Sequence, residues 1–281
     1  MRLQRRFQLL SVATFTMAAL AVAVVAVQVS FWPEHTWITG FEVLFLLVLL
    51  CVPLLSKRLR LHDRWTSHRF LAERLRSAYF LALAGTGDRG QTHGGHMSFS
   101  DPSVAWIERA LAEISAIRPR PTLADADAAP LRDYLVSFWI DSQLIYHART
   151  AETHERRDTR LRHATAALFA ITLVAAALHL LRVGHVLFRS AAVAEILIVL
   201  SISVPAIGAA VHGVQTQRMY RHHSQRYLRM TSLLRRLGDL MRQAGTLPEI
   251  RHIAADVERV MREESNDWFG VMRFHDVELI T

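Results

Sequence analysis

The sequence predicts an all-α integral membrane protein: four transmembrane helices in two hairpins, joined to a cytoplasmic helical bundle. Three observations carry that prediction. Of the 281 residues 51% are hydrophobic, and much of that hydrophobicity is gathered into four runs. Arginines cluster at the ends of those runs. Elsewhere the apolar residues recur at helical spacing, with no alternating strand signal of any length.

A bilayer core needs about 20 apolar residues of helix, and the four runs approach or exceed that length. Residues 7–31 pass 25 positions without a charge. Ile38 to Leu55 carries one charge, Glu42, near its start. Ala164 to Leu181 holds a single His, and Ser190 to Val211 a single Glu. The second and third runs are short but acceptable as spans. The first is longer than the core of a signal peptide, which favours a retained span.

Arginine placement sets the orientation. Arg2, Arg5 and Arg6 precede the first run, and neither Arg nor Lys separates the first two. Lys57, Arg58, Arg60 and Arg64 follow the second. Arg156, Arg157, Arg160 and Arg162 precede the third, and Arg218, Arg221 and Arg226 follow the fourth. Both termini and the central segment are therefore expected on the cytoplasmic side. Trp32 and Trp37 suit an interfacial belt on the other.

Five segments follow: a first transmembrane hairpin (1–56), a coupling helix (57–84), a Gly/Pro-rich loop and amphipathic helix (85–129), a long helix with the second hairpin (130–214), and C-terminal cytoplasmic helices (215–281). In the coupling helix Leu61, Trp65, His68, Ala72, Leu75, Tyr79 and Ala82 alternate by four and three, a heptad-like seam. Gly85 and Gly245 each stand where a helix should stop. Val104, Ile107, Leu111, Ile114 and Ile117 outline the face of the amphipathic helix. From Leu131 the row Leu135, Phe138, Ser142, Ile145 leads into the third run, and no Pro or Gly interrupts residues 131–183. Tyr227, Met230, Leu234, Leu237 and Met241 make a further stripe. A last helix from Pro248 carries Ile250, Ile253, Val257, Val260, Met261 and Trp268.

Charge and composition exclude several functions. The net charge of +8 is accounted for by the membrane-flanking arginines, which suit anionic lipid headgroups. No basic face interleaved with aromatics lies away from the membrane, so no nucleic-acid partner is expected. Cys51 is the single cysteine, which excludes disulfides and Cys-based metal sites. His93 and His96 lie in a Gly-rich stretch and bring no third or fourth ligand with them. No catalytic, cofactor or metal site is predicted. Glu73, with Arg69 four residues before it and Arg76 three after, reads as a surface ion pair on a helix.

The runs themselves hold the more informative candidates. Glu195 is ionisable inside the fourth run, where such residues mark function or lie shallow and snorkel. With it go His179 and Thr172 in the third run, and Ser201 and Gly208 in the fourth. Small, weakly polar residues let membrane helices pack closely, and they also line water-filled paths.

Three separated patches share a pattern. Trp65, Arg69 and Glu73 lie in WTSHRFLAERLRS; Gln143 and Tyr146 lie in WIDSQLIYHARTAETHERR; Glu264 and Trp268 lie in VERVMREESNDW. Together they resemble the SLATT proteins, the SMODS- and SLOG-associating two-transmembrane effectors. The resemblance implies a helical bundle without catalytic residues or cofactors. It further implies a pore-forming effector of a bacterial nucleotide-signalled conflict system, an anti-phage role, in the bacterial inner membrane. Such a protein would self-associate and answer to a separately encoded nucleotide-signalling protein. The chain departs from the pattern in having four predicted spans instead of two. The alternative reading is a structural membrane anchor or scaffold that presents helices to a partner.

Overall fold

The computed structural model describes residues 2–58, 61–86, 105–117, 121–186 and 188–273. Ten α-helices are found among them: α1 (Arg2–Phe31), α2 (Thr39–Arg58), α3 (Leu61–Leu83), α4 (Ala105–Ile117), α5 (Ala128–Tyr134), α6 (Asp141–Leu180), α7 (Val183–Val186), α8 (Ala191–Arg218), α9 (Tyr220–Gln243) and α10 (Leu247–Arg273). A π-helical turn, Leu135–Ile140, joins α5 to α6. No strand occurs among the described residues. His93, His96 and the Gly-rich stretch around them, with Val104, lie outside the described residues.

The chain divides into two compact units. Among the described residues the first comprises 2–58, 61–62, 153–186 and 188–223, and the second 63–86, 105–117, 121–152 and 224–273.

In the first unit α1 packs along both α2 and α8. The α1–α8 approach is close because Gly213 has no side chain: a Cβ there would lie 2.4 Å from the ring of Phe15. The described α6 residues run antiparallel to α8. Leu168 packs at Gly208, Gln215 donates to Asp158 at 2.8 Å, and the His154 ring lies tilted 5.5 Å from that of Tyr220. The turn between them is tight as well, since a Cβ on Gly184 would sit 2.7 Å from the backbone nitrogen of Ala194.

Three helices are long and apolar enough to cross a membrane, with spans within Val12–Phe31, Asp125–Leu180 and Ala191–Gln243. The apolar part of α2, Thr39–Val52, is shorter. Large apolar side chains of this unit face outward, among them Leu47 (52%), Phe169 (71%) and Leu173 (62%). An apolar surface of this extent has no place in water and demands lipid or another chain.

In the second unit, α3, the start of α6, α9 and α10 enclose one main core. Leu135, Trp139, Ile140, Leu234, Met241, Ile250 and Val257 are fully buried in it. Phe80 stacks on Trp139 at 5.0 Å. A second cluster joins Phe70, Ile107, Trp268 and Phe269, so that α4 packs through Ile107. Gly85, at φ +71°, ends α3 as expected, with Thr86 N–H bonding the Leu81 carbonyl. The start of α10 is a capping box: Thr246 N–H donates to Glu249, and Glu249 N–H returns to Thr246 Oγ1.

Two faces differ from the sequence expectation. On α3 the buried row is Thr66, Phe70, Ser77, Phe80, Leu81 and Ala84, whereas His68, Ala72 and Tyr79 are exposed. Thr66 Oγ1 bonds the Asp63 carbonyl of its own helix, so its hydroxyl is satisfied on the buried face. On the following helix the π turn fits one extra residue into its turn and rotates the face. Leu135, Trp139, Ile140, Gln143 and His147 are buried, while Phe138 and Ile145 point outward at 62% and 47% exposure.

The Gly213 contact generates a test. Gly213→Ala should destabilise the purified protein by about 1–2 kcal/mol through overpacking. A double-mutant cycle with Phe15→Ala, read by thermal melts, should show a coupling of about 0.5 kcal/mol or more. Additive melts would contradict the packing described.

Candidate functional site

The second unit gathers the separated motif residues around one crevice. Arg69 and Glu73 reach it from α3, Gln143 and Tyr146 from α6, and Glu264 and Trp268 from α10. His147, Met230, Met261, Ser265 and Phe70 complete its lining. Trp65 stands just outside, its ring edge-on to Trp268 at 5.5 Å. Residues up to 203 positions apart in sequence thus meet at one place, Trp65 with Trp268.

Each residue has a local reason for its position. Trp65, Arg69 and Glu73 recur at four-residue spacing, so they share one face of α3. Gln143 and His147 are likewise one turn apart on the buried face of α6. On α10, Glu258, Met261, Ser265 and Trp268 step by three and four, and all are buried.

The electrostatics are balanced in pairs. Arg226, a residue the sequence reading did not connect to the site, bonds Glu264 at 3.2 Å between side chains, and also donates to the Glu264 main-chain carbonyl. Both side chains are largely out of solvent, at 13% and 16% exposure. Burial pushes the Glu264 carboxyl above the usual range, against the pull of Arg226 and Arg69. Arg74 pairs with buried Glu258 at 3.1 Å, and Arg262 approaches the same carboxylate at 3.6 Å. Glu73 pairs with Arg76 at 2.6 Å, the helix-surface pair its spacing predicts. The Arg69 guanidinium lies 4.2 Å from the centre of the Trp268 ring, a cation–π contact.

His147 is the second residue that the sequence reading passed over. It is 4% exposed, its Nδ1 has no hydrogen-bond partner, and its ring lies 5.4 Å from Tyr227. Burial pushes its pKa down to about 4, with Arg69 and Arg226 adding to the shift. Tyr146 hydrogen-bonds Tyr227 and is pushed up to about 12, by burial of its hydroxyl first. Nothing local in the sequence singles out Arg226, whose partner lies 38 residues away.

The crevice has a volume of about 20 Å³. That is room for roughly one water, far below the 300–1,000 Å³ or so of small-molecule sites. The arrangement is a set of interlocked ion pairs and rings that ties four helices together. Among the described residues no group of three or more His, Cys, Asp or Glu is placed to hold a metal.

The membrane candidates lie in the first unit. Thr172 and Ser201 each return their hydroxyl to a carbonyl of their own helix, Leu168 at 2.9 Å and Leu197 at 2.7 Å. Gly208 lies against Leu168. His179 is exposed and Glu195 half-buried.

His147 makes the second unit sensitive to acid. Between about pH 4 and 6.5 the folded chain holds fewer protons on this ring than the unfolded chain. The stabilisation is complete above pH 6.5 and is lost as the pH falls towards about 4, a total of roughly 3 kcal/mol. Denaturant melts across this range should show that loss, and His147→Leu should flatten it. Separately, Arg226→Leu should cost about 3 kcal/mol by stranding Glu264, and Arg226→Leu with Glu264→Leu should recover much of it.

Comparison with known families adds the last observation. Residues 136–268 match the family described as SMODS and SLOG-associating 2TM effector domain 1. No curated protein and no solved structure matches the chain. The matched segment contains Gln143, Tyr146, Glu264 and Trp268, together with the apolar parts of α6 and α8. Helices α1 and α2, and Trp65, Arg69 and Glu73 of α3, precede it. Over residues 136–268 the chain is therefore similar to the SLATT effector domains, the family its motif residues resemble.

Proposed function

We propose that the protein is a non-enzymatic, pore-forming membrane effector of a bacterial nucleotide-signalled defence system. The observation that carries this reading is the match to the SLATT domain, whose segment holds two long apolar helices and four of the motif residues interlocked in the second unit. The reading supposes four spans in two hairpins of the inner membrane, with both termini cytoplasmic. The Arg69–Trp268 and Arg226–Glu264 contacts act as a latch. An activating signal, delivered by a separately encoded nucleotide-signalling protein, loosens the latch and shifts the apolar helices. Self-association then opens a path in which Glu195, His179, Thr172, Ser201 and Gly208 are the candidate lining or packing residues.

Induced expression in a bacterial host tests this directly. The chain should depolarise the inner membrane, measured with a potential-sensitive dye. Glu195→Gln or His179→Ala should change the leak by severalfold at equal protein level. An unchanged potential at high expression, with and without the neighbouring genes, would contradict it.

A scaffold is the second reading, and one observation favours it. Tyr79 and Phe138 are 53% and 62% exposed, and Tyr134 joins them, its ring stacked on Phe138 at 4.7 Å. An aromatic surface of this kind suits partner docking. A scaffold would retain a stable partner through detergent extraction and leave membrane potential untouched.

A further inference from the structure

The first unit contains a cleft of about 520 Å³ between α1, α2 and α8. Val22 and Val25 of α1, Leu46 and Leu49 of α2, and Ile202 of α8 help to make its wall. One lining residue is charged, Glu42, in the first turn of α2. Ser30, near the end of α1, lines the cleft with it. Trp32 and Trp37, on the connection between α1 and α2, are 51% and 66% exposed, as an interfacial belt requires. The cleft therefore has a polar mouth at interface level and an apolar floor leading away from it.

Two features of the cleft ask for a ligand. Among the described residues the Glu42 carboxylate makes no hydrogen bond or ion pair. A half-buried carboxylate beside apolar side chains, at the mouth of a cleft, is a ready partner for a cation. The volume is equally specific. It holds about 17 groups the size of a water molecule or a methylene, the scale of one lipid acyl chain. A second copy's helix is too large: three turns at 10 Å diameter occupy on the order of 1,300 Å³.

We propose that this cleft binds one phospholipid with an amine-bearing headgroup, its acyl chain along the α1–α2–α8 wall and its ammonium against Glu42. The bound chain fills the gap that α1 and α2 leave beside α8, and so fixes two helices that precede the SLATT domain onto one that lies within it. The proposal rests on the membrane reading of these helices and is independent of whether a pore forms.

The test uses the full chain in nanodiscs of equal phosphatidylethanolamine and phosphatidylglycerol, with retained lipid counted by native mass spectrometry. The wild type should keep one phosphatidylethanolamine per chain in preference to phosphatidylglycerol. Glu42→Gln should cut that preference about tenfold, the loss of one charge-assisted contact. Val22→Trp should expel lipid of either kind while circular dichroism stays unchanged. Equal retention of both lipids by the wild type, or retention unaffected by either variant, would overturn the proposal. So would a lipid-free dimer, which would assign the cleft to a second copy. A chain that never enters nanodiscs would contradict the membrane reading, and the proposal with it.

Discussion

The bundle of the second unit depends on charges taken out of water. Arg226 and Glu264 are both largely buried, and either alone would be expensive there. Their direct contact, with the further bond from Arg226 to the Glu264 main chain, makes the burial tolerable and fixes α9 against α10. Arg74 and Glu258 do the same for α3 against α10. The Trp268 ring can then meet Arg69 on its face and Trp65 edge-on, and Phe269 can meet Phe70. Apolar packing alone would leave the relative rotation of these helices loosely defined. Paired charges define it, because a small slip strands them.

The first unit obeys a different constraint. Its helices turn apolar side chains outward and hold close contacts inward through Gly213, Gly208 and Ala21. Hydroxyls within the apolar helices, such as Thr172 and Ser201, are spent on their own backbone. That is how helices are arranged when the surrounding medium is hydrocarbon. The segment that matches the SLATT model brings both regimes together, since residues 136–268 include parts of each unit.

Much of this was legible from residue order. The α9 stripe through Tyr227, Met230, Leu234 and Met241 and the α10 row through Ile250 and Val257 follow from periodicity and are buried as expected. Three of the four apolar runs reach the length of a span, while the second, Thr39–Val52, is shorter. The family motifs were legible as patterns. Their meeting in space was not, because Trp65 and Trp268 have no local relation in the sequence. The α3 face was misjudged for a physical reason. Thr66 and Ser77 are small enough to be buried, and Thr66 returns its hydroxyl to its own helix, whereas a hydrophobic ranking places both outside. Phe138 was misplaced because a π turn gives no sequence signal of its own. His147 went unnoticed because a lone histidine beside Tyr146 carries no motif.

What joins these parts is the claim that the interlocked residues of the second unit restrain the apolar helices of a membrane effector. Dye efflux from liposomes carrying the purified full chain tests that claim most directly, with insertion verified by flotation. The account predicts slow efflux for the wild type and efflux at least several times faster when Trp268→Ala removes the ring from Arg69. Equal efflux from the two proteins, both inserted and both helical, would contradict it.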